Sequence, residues 1–297
     1  MIAVTPAAAP LAQPAMPETP RAQRAFGRLR IALKRRGEET VLSVLRQEGC
    51  LKARLPRTAP GGIAEAVLLN TSGGITGGDD LALGITAEAG TRLVVTTQAA
   101  ERLYKASPGS PPATIRSELT VDEGALLEWL PQETILFDRA ALDRRLTVDL
   151  APGARFLGVE SLIFGRQAMG ESVQHLHLAD RIILRRAGRL ILHDATRLAG
   201  DIGPLMGRAA TLADARGMAT ILFVGPEGEM EERLAALRAA FQPGLMPDAP
   251  VEAAASAWRG LVLARVLARD GAALRQAVIA ALDILRGGAS LPRVWQM

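Results

Sequence analysis

Cysteine is nearly absent from this chain. Its 297 residues include one cysteine, Cys50, and a single thiol excludes an internal disulfide framework. It also excludes zinc and iron–sulfur sites built wholly from cysteines of this chain. A chain of this length buries about 75% of its unfolded surface on folding, so it needs neither a disulfide nor a metal to be stable.

Aromatic residues and lysine are also scarce. Phe, Trp and Tyr make up 3% of the sequence, and lysine occurs only at Lys34, Lys52 and Lys105. The net charge of +4 is a small excess of arginine over acidic residues. A weak positive field without aromatic stacking platforms argues against a dedicated nucleic-acid-binding protein.

Long hydrophobic runs are missing as well. No apolar stretch reaches the roughly 18 residues that a membrane-spanning helix needs. The first two dozen residues are rich in alanine and proline, and the prolines interrupt what would be the apolar centre of a secretory signal. We therefore expect residues 1–24 to be a disordered tail, residues 25–297 to form a single β-rich domain, and the protein to be cytoplasmic without a membrane partner.

A strand–turn–strand pattern occurs three times, in residues 85–95, 119–129 and 146–157. Each copy opens on an apolar residue and Thr, and the turn of each copy ends in a glycine, namely Gly90, Gly124 or Gly153. These glycines are 34 and 29 residues apart, which falls in the range of stacked repeat units. The pattern predicts a mostly β fold, a layered, solenoid-like helical stack of strands. Three independent hairpins are the alternative.

The second half of the chain combines strands with two helices. Alternating apolar residues predict strands at 173–178, 181–186, 189–194 and 219–224. Apolar residues at three- and four-residue spacing predict helices at 229–241 and 272–286, the second of which ends before Gly287. Strands and helices do not alternate, which counts against a Rossmann or P-loop core.

The segment from Asn70 to Leu81 contains two glycine pairs, Gly73-Gly74 and Gly77-Gly78. Asp79-Asp80 follows them, whereas a phosphate-binding loop requires Lys-Ser or Lys-Thr, and the acid spacing is not that of a calcium loop. We predict a structural turn in which Asp79 caps backbone amides. A surface for a partner or for a transient cation is the alternative.

Two acids lie within an apolar strand region, residues 126–135. Glu128 and Glu133 are costly there unless they are paired or hydrogen-bonded. Two carboxyl groups in different environments could serve as the acid and base of a carbohydrate-active β-stack enzyme. Sugar sites usually contain aromatic platforms, which this chain has few of, so that function is a distant alternative.

His175 and His177 are two residues apart. On a strand they share one face, about 7 Å apart, and could make weak contacts to Ni²⁺, Zn²⁺ or Cu²⁺. Two solvent-facing histidines on an amphipathic strand are the alternative. The sequence contains neither a complete set of metal ligands nor a nucleophile motif.

Five segments in order resemble the urease accessory protein D family (UreD, also called UreH). They are Leu69–Asp79 with Gly-Gly-x-x-Gly-Gly-Asp, Thr96–Lys105 with Thr-Thr and Tyr-Lys, Leu127–Ile135 with Leu-Glu-Trp-x-Pro-Gln-Glu, Phe164–Glu171 with Gly-Arg-x-x-x-Gly-Glu, and Leu291–Trp295 with Pro-Arg-x-Trp. The resemblance covers the chain from about Phe26 to the C-terminus. Each motif alone is weak, but five in the same order are specific.

The resemblance implies a cytoplasmic maturation factor for urease, a nickel enzyme, and it implies that the chain is not itself an enzyme. Members of this family form a complex with accessory protein F and with the GTPase accessory protein G. That complex engages apo-urease and helps to deliver Ni²⁺ to its active site. The implied fold, a β-rich helical stack with a pair of helices, agrees with the repeat pattern.

The resemblance also suggests a route for the metal. A protein that hands on Ni²⁺ must bind it weakly, through one or two carboxylate or imidazole contacts and retained water. We therefore expect transient Ni²⁺ and no permanently bound cofactor. The candidate conduit is formed by the acids of the matching segments, Asp79, Glu128, Glu133 and Glu171. The alternative is that these acids only satisfy backbone groups in tight turns, and Arg166 is a candidate ion-pair partner for one of them.

The C-terminal segment is the candidate interface with accessory protein F, through Arg286, Pro292, Arg293 and Trp295. Trp and Arg near a chain end are frequent interface anchors. The alternative is that Trp295 folds onto the chain's own core. A pure interaction module that opens apo-urease without contacting nickel would carry the same motifs, so this function stays open.

Overall fold

A computed structural model describes residues 23–58, 61–166, 169–242 and 251–296. Residues 1–22 of the predicted tail lie outside these ranges. Within them the chain forms two β-sheets and three α-helices.

The two sheets face each other. The seven-stranded sheet contains, in spatial order, β14 (Arg189–Asp201), β13 (His175–Arg186), β11 (Ala141–Leu150), β8 (Ala113–Val121), β5 (Asp80–Ala87), β1 (Phe26–Arg36) and β2 (Glu39–Gly49). The ten-stranded sheet runs through β16 (Val251–Trp258), β17 (Leu261–Ala268), β15 (Gly217–Val224), β12 (Arg155–Phe164), β9 (Leu126–Leu130), β6 (Arg92–Thr97), β4 (Ala64–Asn70) and β3 (Leu51–Arg54). Two short strands, β10 (Thr134–Leu136) and β7 (Glu101–Leu103), extend it beside β12.

The three sequence repeats form the centre of the stack. The first strands of the repeats, β5, β8 and β11, pair in parallel in one sheet, and their second strands, β6, β9 and β12, pair in parallel in the other. Ile85, Leu119 and Leu146 occupy the corresponding position of successive repeats, but the pairing aligns Ile85 with Leu119 and Leu119 with Val148. The two strands of each repeat lie in different sheets. The predicted layered stack is therefore confirmed, and the alternative of three independent hairpins is wrong.

The turns between the sheets stack on one another too. Gly90, Gly124 and Gly153 have φ angles of +68°, +66° and +72°, a region that L-residues with a Cβ adopt only at a cost. The amide of Gly90 donates to the carbonyl of Glu123 at 3.0 Å, so one turn bonds to the next. The glycines therefore allow each repeat to turn in the same way and keep the register of the stack.

Three layers result from this arrangement. One apolar core fills the space between the sheets, and a second lies between the ten-stranded sheet and the helices α2 (Met230–Ala240) and α3 (Gly271–Arg286). All residues of β15 are buried because both of its faces are covered. In β5 every second residue is only partly buried, because the outer face of the seven-stranded sheet carries no helix layer in the described residues.

Both predicted helices near the C-terminus are confirmed, with ends shifted by one residue. Asp270 caps α3 by accepting a hydrogen bond from the amide of Ala273 at 2.8 Å, and Gly287 ends it with φ +66°. The predicted strands at 181–186 and 189–194 belong to the longer hairpin of β13 and β14, which turns at Ala187-Gly188. In the described ranges, no helix combines the length and the apolar character needed to cross a lipid bilayer.

The sequence analysis missed two features. Residues 251–268 form the hairpin of β16 and β17 at the edge of the ten-stranded sheet, and α1 (Gly203–Met206) is a single short turn after β14. The alanine-rich β16 lacks a clear alternation of apolar and polar residues. Its position depends on pairing with β17.

The turn glycines generate a stability prediction. The variant Gly124→Ala places a Cβ at φ +66°, where space is open but the backbone is strained, so the free energy of unfolding should fall by about 1 kcal/mol. Urea unfolding of the purified chain measures this. The control is Gly228→Ala, where space is also open and φ is not positive, and it should be neutral. Equal stability of the Gly124→Ala and wild-type chains would contradict the proposed turn requirement.

Candidate functional site

Two loops meet closely at one end of the sheets. The amide of Ile75 donates to the carbonyl of Arg102 at 2.8 Å, and the amide of Tyr104 donates to the carbonyl of Ile75 at 2.7 Å. A Cβ at Gly74 would lie 2.3 Å from the ring of Tyr104. A side chain there would therefore separate the loops. Gly73, Gly74 and Gly78 have positive φ angles, while Gly77 packs against the loop at Ala106.

Asp79 holds this glycine-rich loop in place. Its side chain is 3% exposed, and its two oxygens accept hydrogen bonds from the amide of Ala25 at 2.7 Å and from the amide of Thr76 at 2.8 Å. The carboxylate thus caps backbone amides at the start of β1 and in the turn. This is the structural role that the sequence analysis predicted for it.

Glu171 lies in a neighbouring loop at the same end. Its carboxylate accepts from Nε of Arg166 at 2.8 Å and from the amide of Asp138 at 3.2 Å. The guanidinium of Arg166 lies 4.3 Å from the ring centre of Phe137, whose ring meets that of Tyr104 edge-on at 5.0 Å. The ion pair and the rings therefore link Arg166 and Glu171 to the loops around Tyr104.

The other two predicted conduit acids lie on the opposite face of the ten-stranded sheet, under α3. The alternation of β9 directs Trp129 to the space between the sheets and Glu128 to the helix layer. Oε2 of Glu128 lies 2.9 Å from Nε of Arg286, and these side chains are 5% and 3% exposed. Burial raises the pKa of Glu128, and Arg286 opposes this shift. Glu133 pairs with Arg275 of α3 at 3.0 Å. The four acids are therefore not brought together.

The C-terminal segment packs onto the same face. Trp295 is 3% exposed, and its indole N–H donates to the carbonyl of Leu130 at 3.1 Å. Arg275 lies 4.9 Å from the centre of its ring. Arg286 and Pro292 are covered as well, so only Arg293 of the predicted interface residues is exposed. Trp295 thus folds onto the chain's own core, as the alternative reading of this segment states.

His175 and His177 are exposed on the outer face of β13. The backbone amide of His175 donates to Oδ1 of Asp138 at 2.8 Å, which fixes the start of the strand. In the part of the chain that the structure describes, no group of three or more His, Cys, Asp or Glu residues is placed to hold a metal ion.

A cavity of about 250 Å³, lined mostly by apolar atoms and by a few charged side chains, lies between the two sheets. Its mouth is lined by the glycine-rich loop at Gly73-Gly74 and by residues 97–102, and its inner wall includes Ser117, Arg144 and Glu160. Ser117 pairs in register with Leu83 and Leu146. A serine in a row of leucines removes volume from the core, which helps to explain the space.

Glu101 lies at the mouth of this cavity. Its Oε2 accepts a hydrogen bond from Nδ2 of Asn70 at 3.1 Å. Burial raises the pKa of Glu101 above its usual range, and the hydrogen bond from Asn70 only partly opposes that shift. The carboxylate therefore gains by any further positive or hydrogen-bonding partner that reaches it.

A buried charge network forms the inner wall. Arg144 makes a bidentate contact with Asp180, at 2.9 and 2.7 Å, and its Nη1 lies 2.6 Å from Oε2 of Glu160. The indole N–H of Trp129 donates to the other oxygen of Glu160 at 2.8 Å. Burial raises the pKa of Glu160, and Arg144 opposes the shift. One guanidinium thus serves two carboxyl groups, so the ionised network carries a net negative charge.

Sequence reasoning missed Glu101, Arg144, Glu160 and Asp180. Two of them could have been found from the alternation of their strands. Arg144 lies between Leu142 and Leu146 at an inward-facing position of β11, and Asp180 lies at an inward-facing position of β13. The register then pairs Arg144 directly with Asp180. Glu101 lies within one of the five matching segments but was not singled out there.

Fold and site together define a β-stack protein with one helix-covered sheet and a cavity between its sheets, whose mostly apolar lining carries two glutamates and two arginines. Four of the five matching segments supply the mouth and the wall of this cavity or the loops beside it. The fifth, at the C-terminus, closes the helix face.

Comparison with known proteins gives the family. The model of the UreD urease accessory protein family matches residues 25–296. The chain is 45% identical to the urease accessory protein UreD of Agrobacterium fabrum, over 93% of each chain. It is 44% identical to that of Azorhizobium caulinodans, over 95% of this chain and 100% of the relative, and 46% identical to that of Chelativorans sp., over 93% and 95%. The chain belongs to the UreD urease accessory protein family, which confirms the resemblance of the five segments.

The raised pKa of Glu101 gives a pH prediction. Because its pKa is higher in the folded chain than in the unfolded chain, ionised Glu101 reduces stability as pH rises above the usual range of glutamate. The variant Glu101→Gln lacks this effect. The variant should therefore be more stable relative to wild type at pH 7 than at pH 4. The difference between the two free energies of unfolding, measured by urea unfolding at each pH, checks this.

The control for this experiment is Glu232→Gln, which makes the same change of charge at an exposed position of α2. A pH-independent difference for Glu101→Gln, or one of opposite sign, would show that burial does not govern the titration of Glu101.

Proposed function

We propose that this chain is a cytoplasmic urease maturation factor that acts with accessory proteins F and G and helps to pass Ni²⁺ to apo-urease. It works by binding rather than by turnover. Membership of the UreD family supports the assignment to urease maturation. The observation that carries the nickel part is the cavity between the sheets, with the carboxylate of Glu101 at its mouth and that of Glu160 at its inner wall.

The chemistry of this cavity suits a cation in transit. Ni²⁺ accepts carboxylate, amide and water oxygens, and few protein ligands at each step keep the affinity low enough for release. Glu101 can exchange its contact with Asn70 for a cation, because the partial burial of its carboxylate is only partly offset by the hydrogen bonds from Asn70 and from the backbone of Arg102. Glu160 is held by Arg144 and Trp129, so it supplies a fixed negative field more than a free ligand.

The acids proposed from the sequence have other partners, and we assign them supporting roles. Asp79 and Glu171 hold the loops at the cavity mouth, through backbone amides and through Arg166. Glu128 and Glu133 attach α3 to the ten-stranded sheet through Arg286 and Arg275. We therefore place the proposed nickel route at Glu101 and Glu160 in the cavity and not at these four residues.

Complementation tests the proposal. In cells that lack this chain, wild type should restore urease activity, and Glu101→Gln should restore several-fold less at equal protein level, because a neutral amide attracts the cation less. Pull-down with accessory proteins F and G should be unchanged. The control variant Glu232→Gln, with the same change of charge on α2, should behave as wild type.

The outcomes separate the parts of the proposal. Failure of wild type to restore activity would contradict the role in urease maturation. Full rescue by Glu101→Gln would contradict the nickel route through the cavity and favour an interaction module that opens apo-urease without contacting the metal.

A further inference from the structure

The outer face of the seven-stranded sheet carries a row of arginines. Arg28, Arg116, Arg145 and Arg181 lie at matching register positions of β1, β8, β11 and β13, and Ala82 of β5 fills the same row between the first two. We call these four residues the arginine row. Inward-facing neighbours on each strand, such as Leu29 and Leu146, are buried, so the arginines point away from the core.

Repulsion between like charges in the row is centred on Arg145. Adjacent strands are about 4.8 Å apart, so Arg116, Arg145 and Arg181 place three like charges on three consecutive strands, and like charges on facing positions repel. Arg28 and Arg116 share Asp80, and Arg181 lies 3.3 Å from Asp143. In the described residues, Arg145 in the middle forms no ion pair.

The surroundings of the row carry further arginines, one acid opposite Arg28 (Glu48), and several small residues. Arg30, Arg46 and Arg197 are exposed on the same face. Several outward positions between the arginines are small, including Ala82, Gly84, Ala179 and Ala195. A flat partner surface could therefore approach the guanidinium groups closely.

We propose that the arginine row is a docking surface for an acidic face of a partner protein. Like charges on adjacent strands reduce stability, and such unfavourable arrangements are expected where function requires them. Arginine is also enriched at protein interfaces. Asp80, Asp143 and Glu118 lie among the arginines on this face. These acids interrupt the positive charge of the face, so the surface fits the mixed charges of a protein better than the uniform row of phosphates of a nucleic acid.

The proposal rests on the proposed function for its candidate partners, which are apo-urease and accessory proteins F and G. The full-length chain is tested as wild type and as Arg145→Glu, with Arg208→Glu as a control of equal charge change at an exposed site after α1. Dissociation constants for each partner are measured at low and high salt, and for a short DNA duplex at low salt. Melting temperatures are measured for all three chains.

The expected result has two parts. Arg145→Glu should weaken binding of one partner at least tenfold at low salt, with a smaller loss at high salt, whereas Arg208→Glu should not. At the same time the melting temperature of Arg145→Glu should equal or exceed that of wild type, because a glutamate between Arg116 and Arg181 removes the repulsion. A residue with a merely structural role would not weaken binding while leaving stability intact.

Other outcomes overturn the proposal. If wild type binds a partner and Arg145→Glu binds it equally well, or if Arg208→Glu weakens it to the same extent, the row is not the docking surface. Loss of DNA binding alone would identify a nucleic-acid surface instead. If wild type binds none of the three proteins, the proposed function fails, and the docking proposal fails with it.

Discussion

The stacking of successive repeats is the constraint on which the rest of this structure depends. Once β5, β8 and β11 pair in parallel, and β6, β9 and β12 do the same, every inward position becomes part of a row that crosses the sheet. Apolar residues fill most positions of these rows. A charged residue at such a position must find its partner on the adjacent strand or on the facing sheet, and Arg144 does both, through Asp180 and Glu160.

The stacking of the repeats also explains where polar side chains lie inside the fold. Ser117 interrupts a row of leucines beside Arg144, and a cavity opens between the sheets at that point. The ten-stranded sheet cannot use its other face in this way, because α2, α3 and the C-terminal segment cover it. Among the residues that the structure describes, no helix covers the outer face of the seven-stranded sheet, and this face carries charged and small residues. Interior, helix face and open face are thus three distinct environments.

The repeats could be predicted because their signals are local. A turn glycine and an alternating strand depend on a few neighbouring residues, and the cap and the final glycine of α3 are local in the same sense. The site could not be predicted in the same way. Glu101 is partly buried because it contacts a loop some thirty residues earlier, and Trp295 is buried against Thr96, which is 199 residues away. The four acids of the matching segments contact backbone amides, Arg166, Arg286 and Arg275 at separate places, so their presence in matching segments did not make them neighbours.

We propose above that Ni²⁺ passes through the cavity between the sheets on its way to urease. The most direct measurement is the nickel content of urease per active site, determined by mass spectrometry after maturation with accessory proteins F and G and the variant Ala100→Trp. Ala100 lines the cavity, so a tryptophan there should obstruct it, whereas Ala209→Trp changes an exposed site elsewhere. The account predicts a reduced nickel content with Ala100→Trp, at unchanged assembly with the partner proteins, and a normal content with Ala209→Trp. A normal nickel content with the folded, assembled Ala100→Trp chain would contradict it.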